Sequence, residues 1–425
     1  MKACIIGAGA SGIAACKVFK DYGIDFDCYE KGSDIGGLWW FGNDNGMSSI
    51  YQTLCINTSR QMMAYSDFPM PREYPDYPGH QLIHQYFRSY ADHFGFRDRI
   101  HFQTPVLHIE KRGSAYFVDT DKAKNLEYDA VIVCNGHHWN PKMVKFDGKF
   151  SGKEMHSHDY KSAVEFSGKK VLVVGIGNSA VDIACEVSSV AARTVISTRS
   201  SAYIVPKYLF GVPTDHISKP PLAYAPLFFQ RIALRTMLLL NVGRQKKYGV
   251  PVPDRPILSE HPTVSQNLLN LVKEGKVHIK PNIKKLDGNS VSFEDGTAEI
   301  FDVIIYSTGY YITFPFFDSS FINPKENEMP LYHKVVHPEY ENLFFLGLLQ
   351  PLGAIMPLSE QQAIWVAKIL KGKVALPGKE FMLQVIENDR NSMRRRYKSS
   401  SRHTIQVDFY PYIKLLTDEV KARSR

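Results

Sequence analysis

Unbroken apolar runs recur along the chain, ACII at 3–6, AVIV at 130–133, VLVV at 171–174 and VIIY at 303–306, each closed by glycine or small polar residues. Runs this short, without the alternation of a half-exposed strand, predict strands buried on both faces, as in parallel sheets. Two of them sit in matching text. YDAVIVCNG (128–136) and FDVIIYSTG (301–309) both read aromatic residue, Asp, apolar run, small polar residue, Gly. Each follows alternating, turn-broken sequence, AYFVDTDKAKNLEY and NSVSFEDGTAEI, which predicts part of a β-meander. Duplication on this scale predicts two units of similar construction. The order of segments predicts a first unit interrupted near Ser162 by the second and resumed near Gly296, with residues 302–309 as a late strand of the first.

Residues 200–262 have a different texture. Nine prolines from Pro206 to Pro262 flank an apolar stretch, 222–242, whose hydrophobic residues recur at helical spacing and which carries Arg231 and Arg235. This predicts an amphipathic helix in a lid-like insertion rather than a membrane span. The same amphipathicity suits peripheral contact with a membrane surface through 222–242, or pairing of two copies as a homodimer. At 425 residues the chain has room for two or three domains. Its net charge of +8 is spread over a mixed surface, and its longest basic run, Arg394 to Arg396, reads as a solvated helix end, so no nucleic acid is expected. Six scattered cysteines without a CxxC pair or zinc-like spacing argue for a reducing, cytoplasmic setting and against a metal site or redox disulfide. The chain opens straight into a strand, so no cleavable signal is expected.

Two glycine-rich turns carry the candidate chemistry. In KACIIGAGASGIAACKVFKDYGIDFDCYEK, a strand ends in Gly7-x-Gly9-x-x-Gly12, a helix follows, and a second strand ends at Glu30. The full context of a dinucleotide fingerprint is present. Gly7 allows the tight turn, Gly9 admits a pyrophosphate, Gly12 lets helix and strand approach, and Glu30 would accept a hydrogen bond from a ribose hydroxyl. In KKVLVVGIGNSAVDIACEVSSVAARTVISTRS the pattern returns as Gly175-x-Gly177-x-x-Ala180, but the place of Glu30 is taken by Thr198, followed by Arg199. An acid would repel a 2′-phosphate and a Thr-Arg pair can bind one, so the first turn suits FAD or NAD and the second NADP.

Between these fingerprints lies FSGKEMHSHDYK, with Phe150, Gly152, His156 and Tyr160 in the spacing FxGxxxHxxxY. In that place the chain resembles the flavin-containing monooxygenases. The resemblance extends over GGLWW (36–40), NTSRQMMAYSDFPMP (57–71), VCNGHHWNP (133–141), YSTGY (306–310) and FFLGLLQPLGAIMP near Gln350. It implies an α/β fold of two Rossmann-like dinucleotide-binding domains with β-meanders, the NADP domain inserted in the FAD domain. The domains would be 1–163 for FAD, 164–295 for NADP with the Pro-rich insertion at about 200–262, and 296–425 returning to the FAD domain with C-terminal helices. It also implies FAD, NADPH and molecular oxygen as reactants, a C4a-hydroperoxyflavin, and oxygen transfer to an amine nitrogen or sulfide sulfur of a small molecule.

The first fingerprint and the resemblance together give the cofactor contacts Gly7, Gly9, Ala10, Ser11, Gly12, Glu30, Lys31, Gly37, Leu38, Trp39, Asn57, Thr58, Val106 and Gln350. The NADP contacts are Gly175, Gly177, Asn178, Ser179, Ala180, Thr198 and Arg199, and Asn57 is the catalytic amide. His156 reads as an organiser of the linker rather than an acid or base, and no metal is implied. The end of the chain, KARSR, departs from the apolar tail of the microsomal members, which bears against membrane anchoring. In the neighbouring Baeyer–Villiger monooxygenases the linker motif ends in Trp followed by Pro or Asp. Tyr160-Lys161 here favours the amine and sulfide branch, with ketone oxygenation as the alternative. A non-oxygenating FAD/NADPH disulfide reductase would need the cysteine pair this chain lacks, and a nucleotide sensor on the same fold would not consume NADPH.

Overall fold

The computed structural model describes residues 1–397 and 404–424; Arg425 of the KARSR end lies outside the described residues. The chain forms two compact units, one of Met1–Ser48, Thr58–Asn140 and Tyr311–Arg425, the other of Ser49–Asn57 and Pro141–Tyr310. In the first, five parallel strands lie in the order Leu343–Phe345, Ala130–Val133, Lys2–Ile6, Asp25–Tyr29, Ile100–His101. Helix α1 (Ala10–Asp21) leads from the first strand to the second and packs against the helix Met356–Leu370. A three-stranded antiparallel meander, Val106–Arg112, Ala115–Thr120 and Leu126–Tyr128, shares its core with the sheet through Ile109, Tyr116 and Val118.

The second unit repeats the plan: Lys153–His156, Val303–Tyr306, Lys170–Val174, Arg193–Ser197, Val277–Lys280, all parallel. Helix α2 (Asn178–Val187) follows the strand Lys170–Val174, and its apolar face, Val181, Ala184 and Val187 among others, is buried in this unit's core. A four-stranded sheet built on Ile283–Gly288 and Ser290–Phe293 packs its own cluster. The insertion contains helix α3 (Leu227–Asn241), none of whose residues is buried.

Val303–Tyr306, expected in the first unit, instead lies in the sheet of the second, between Lys153–His156 and Lys170–Val174. A side chain decides this. Asp302 exchanges bonds with the start of the neighbouring strand, its Oδ2 accepting from Lys170 N at 2.7 Å and its own N–H donating to Lys170 O at 2.9 Å. Asp129 does the same with Lys2 in the first unit, at 2.6 and 2.9 Å. The aspartate of the repeated text is thus a register clamp, and the two matching segments are equivalent strands of two sheets. The returning chain reaches the first sheet only at Leu343–Phe345.

Candidate functional site

The first glycine turn is tight for reasons internal to the chain. Gly7 has φ +96°, and a Cβ there would stand 2.8 Å from Cys134 O; a Cβ on Gly12 would stand 1.8 Å from Gly7 O. Gly9 differs. Its φ of −79° suits any residue, and its nearest neighbour for a Cβ is Gly37 Cα at 3.5 Å, an ordinary contact. Gly37, at φ +54°, opens the short turn Gly37–Trp39, so two glycines face each other beside the start of α1. No side chain caps α1, which leaves its first amides, those of Ala10 to Gly12, directed at whatever the cradle holds. Ser11 Oγ bonds Ser359 Oγ at 2.9 Å, and Tyr65 OH donates to Ala10 O at 2.6 Å.

Glu30 is buried and accepts from Ala8 N and Gly32 N, both at 2.7 Å, and from Asn45 Nδ2 at 3.2 Å. Its carboxylate is therefore held at the cradle's rim by three donors, of which Asn45 had no signal in the sequence. Lys31 is exposed; Leu38 and Trp39 are half-buried. Elsewhere in this unit, Thr58 is buried, Val106 opens the meander, and Gln350 begins the short strand Gln350–Leu352, its N–H donating to Ile405 O at 2.7 Å.

The second turn has the same construction. Gly175 has φ +119°, its Cβ would meet Ser307 O at 2.7 Å, and α2 again begins after an uncapped glycine, Gly177. It is laced in place by a segment that sequence spacing could not reveal. Thr263 Oγ1 donates to Ile176 O at 2.6 Å, and Asn178 Oδ1 accepts from Val264 N at 2.8 Å. Asn178 is thus occupied by the chain itself, while Ser179 is exposed and Ala180 fully buried. At the end of the next strand Thr198 is buried, its hydroxyl donating to Ser200 O at 2.6 Å, and Arg199 is exposed.

All four linker residues are fixed within the second unit. Phe150 belongs to the core under the four-stranded sheet. A Cβ on Gly152 would stand 2.5 Å from Asp302 O and 2.7 Å from the Phe150 ring, so the close approach this glycine permits is to a neighbouring strand. His156 ends the edge strand and is buried; its Nδ1 accepts from His158 N at 3.1 Å and its ring stands edge-on to Tyr310 with centroids 5.1 Å apart. Tyr160 is fully buried, stacked on Phe166 and edge-on to Tyr51.

Burial pushes the His156 imidazole down to about 4, and His337 in the first unit likewise to about 4. A folded-state value depressed below the unfolded one gives stability that is complete above pH 6.5 and is lost as pH falls towards 4. Melting followed from pH 7 to 5 should drop by roughly 2–8 °C. The double variant His156→Gln, His337→Gln should show a flatter profile, and an unchanged slope would remove the histidines as its cause.

Asn57 closes the segment Ser49–Asn57 that travels with the second unit, whereas Thr58 groups with the first. Its Oδ1 is buried and finds no hydrogen-bond partner among the described residues.

A family model described as flavin-binding monooxygenase-like matches residues 1–425. The chain is 38% identical to flavin-containing monooxygenase 5 of Mus musculus over 99% of its own length and 82% of that protein. It is 34% identical to dimethylaniline monooxygenase [N-oxide-forming] 2 of Rattus norvegicus, over 99% and 83%. Among solved structures, S-allyl-L-cysteine S-oxygenase from Allium sativum superposes with a TM-score of 0.74 at 25% identity, covering 100% of this chain and 89% of that one.

Proposed function

The chain belongs to the flavin-binding monooxygenase-like family, and from that premise we propose that it passes one oxygen atom of O2 to the nitrogen or sulfur of a small amine or sulfide. It is an FAD- and NADPH-dependent monooxygenase. Bound flavin supplies the hydride acceptor and the oxygen-activating centre, and the chain supplies position, polarity and shelter.

The observation that carries the reading is the pair of glycine cradles, alike in backbone and different at the rim. The first fits FAD: Gly9 and Gly37 keep side chains away from the start of α1, the α1 amides there are uncapped, and Glu30 is fixed as an anionic acceptor for a ribose hydroxyl. The second, ending in Thr198 and Arg199, fits NADP. Asn57 presents an amide oxygen without a partner among the described residues, suited to a donor on flavin or nicotinamide. Phe150, Gly152, His156 and Tyr160 fix the strand and turn beside the second cradle without taking a proton from substrate. With FAD, NADPH and air, a thioether or tertiary amine probe should yield close to one oxide per NADPH. No NADPH consumption with any probe would overturn the reading.

Arg199 should set the choice of NADPH over NADH. Its guanidinium is exposed at the strand end, and a charge-assisted hydrogen bond to phosphate contributes about 1.5–3 kcal/mol. Arg199→Ala should raise the KM for NADPH roughly ten- to a hundredfold and leave NADH nearly unchanged. Equal losses for both would move the 2′-phosphate elsewhere.

No helix among the described residues is long and apolar enough to cross a membrane. Helix α3 instead exposes Phe228, Ile232 and Leu239 on one stripe with Phe229 and Leu240 beside it, and Arg235, Lys246 and Lys247 are exposed nearby. We place this face against an anionic lipid surface from the cytoplasm, where six free cysteines are at home. The protein should sediment with anionic vesicles and lose at least about half of that binding in Phe228→Ser, Leu240→Ser. A dimer that dissociates in the same variant, with no vesicle binding, would assign the face to a second copy.

A further inference from the structure

The segment Ser49–Asn57 precedes the linker by a hundred residues yet is fastened to the second unit along its whole length. The Tyr51 ring is buried against Tyr160, with centroids 5.6 Å apart, and its hydroxyl donates to Asp182 Oδ2 at 2.9 Å. Gln52 N donates to Lys161 O at 2.9 Å, and Lys161 Nζ donates to Ile50 O at 3.2 Å. Thr53 Oγ1 donates to Glu186 Oε2 at 2.7 Å. Lys207 Nζ donates to Ile56 O at 3.3 Å, immediately before Asn57, and the same ammonium is drawn to the Asp182 carboxylate. Asp182 and Glu186 are one turn apart on α2, the helix that starts at the second glycine cradle.

We propose that Tyr51, Asp182 and Lys207 are positioning residues that set the Asn57 amide from the helix carrying the second cradle. Asp182 is the joint. It takes the Tyr51 hydroxyl near the start of the segment and attracts the ammonium that grips its end, so one carboxylate bears on two points of a segment also held by peptide groups and by core packing of Tyr51 and Leu54. A helix is stiff over one turn, so α2 seated on a dinucleotide transmits its position towards Asn57 through the Tyr51 hydrogen bond and through the charge attraction between Asp182 and Lys207. The inference rests on the reading of Asn57 given above.

The joint also titrates. Burial raises the Asp182 carboxyl to about 6, against the lowering effects of the Tyr51 hydroxyl and Lys207, with Glu186 adding to the rise. The remaining facing groups are out of range, the Tyr51 phenol being pushed well above its ordinary value and the Cys185 thiol up to about 12. As pH falls through about 6 Asp182 gains a proton and Lys207 loses the anion that draws it. The yield of product per NADPH should therefore decline on the acid side in the native protein.

Tyr51→Phe and Asp182→Asn holoenzymes, with Asn57→Ala as reference, are assayed for NADPH oxidised, hydrogen peroxide released and sulfoxide formed from a thioether between pH 5.5 and 8. Tyr51→Phe keeps the ring packing, and Asp182→Asn relieves a carboxylate whose ionisation is disfavoured by burial, so at pH 8 it should melt no lower than the native protein. Both are expected to keep the KM for NADPH within roughly twofold while product per NADPH falls at least about threefold at pH 8. In Asp182→Asn the acid-side decline should vanish. Native yield in both variants, with Asn57→Ala uncoupled, overturns the positioning role. Native yield in Asn57→Ala overturns the reading of Asn57 and the inference with it. Should Asp182→Asn fail to fold, Tyr51→Phe decides alone.

Discussion

Replacing Gly9 with leucine should give a folded, colourless protein, with flavin content below roughly a tenth of native. Gly7 sits at a φ that favours glycine, and Gly12 has no room for a methyl group, so alanine at Gly12 should cost the fold itself. Gly9 has an ordinary φ and a Cβ there would make one ordinary contact, with Gly37 at 3.5 Å. The chain's own geometry admits a Cβ at that place, so the proposed reading assigns the need for glycine to the ligand that the uncapped helix amides would hold. Absorbance at flavin wavelengths, with circular dichroism to confirm folding, distinguishes the outcomes. A yellow Gly9→Leu protein would mean that the pyrophosphate lies elsewhere, and a Gly12→Ala protein as stable as native would remove the distinction on which the argument stands.

Both cradles were legible because their logic is local: strand, three spaced glycines or alanine, helix and rim residue lie within thirty-odd positions. The duplication was legible as text, and its meaning was not. VIIY at 303–306 is as apolar as AVIV at 130–133 and could enter either sheet. What assigns it is Asp302 on Lys170, a pair separated by 132 positions. The same limit hid Thr263 and Val264 behind the second cradle and Asn45 behind the first, since polar side chains in loops give no periodic signal. Gly152 approaches Asp302 O, a neighbour that the spacing of the linker motif does not reveal. Helix α3 was legible as amphipathic, while its apolar stripe lies outward, which periodicity alone does not decide.

Asn57→Ala should continue to oxidise NADPH and release hydrogen peroxide in place of most of the product, with product per NADPH down by roughly tenfold or more. A buried amide oxygen with no partner costs about 1–3 kcal/mol relative to one that is satisfied, and Asn57 Oδ1 has none among the described residues, so we propose that its partner is a bound cofactor. Hydride transfer depends on holding NADPH, a role that the proposed reading gives to the second cradle, Thr198 and Arg199 rather than to Asn57. Oxygen transfer depends in addition on excluding water and keeping a proton in place until the substrate arrives, and one misplaced donor or acceptor is enough to divert it. The variant should therefore separate two quantities that move together when a cofactor site is merely damaged: NADPH consumption persists and yield collapses. Asn57→Asp tests the polarity of the contact, because it retains the acceptor oxygen and removes the NH2 donors. Recovery of yield in Asn57→Asp would assign the function to the acceptor that the structure leaves unpaired, whereas native yield in Asn57→Ala would make Asn57 a turn residue with no part in oxygenation.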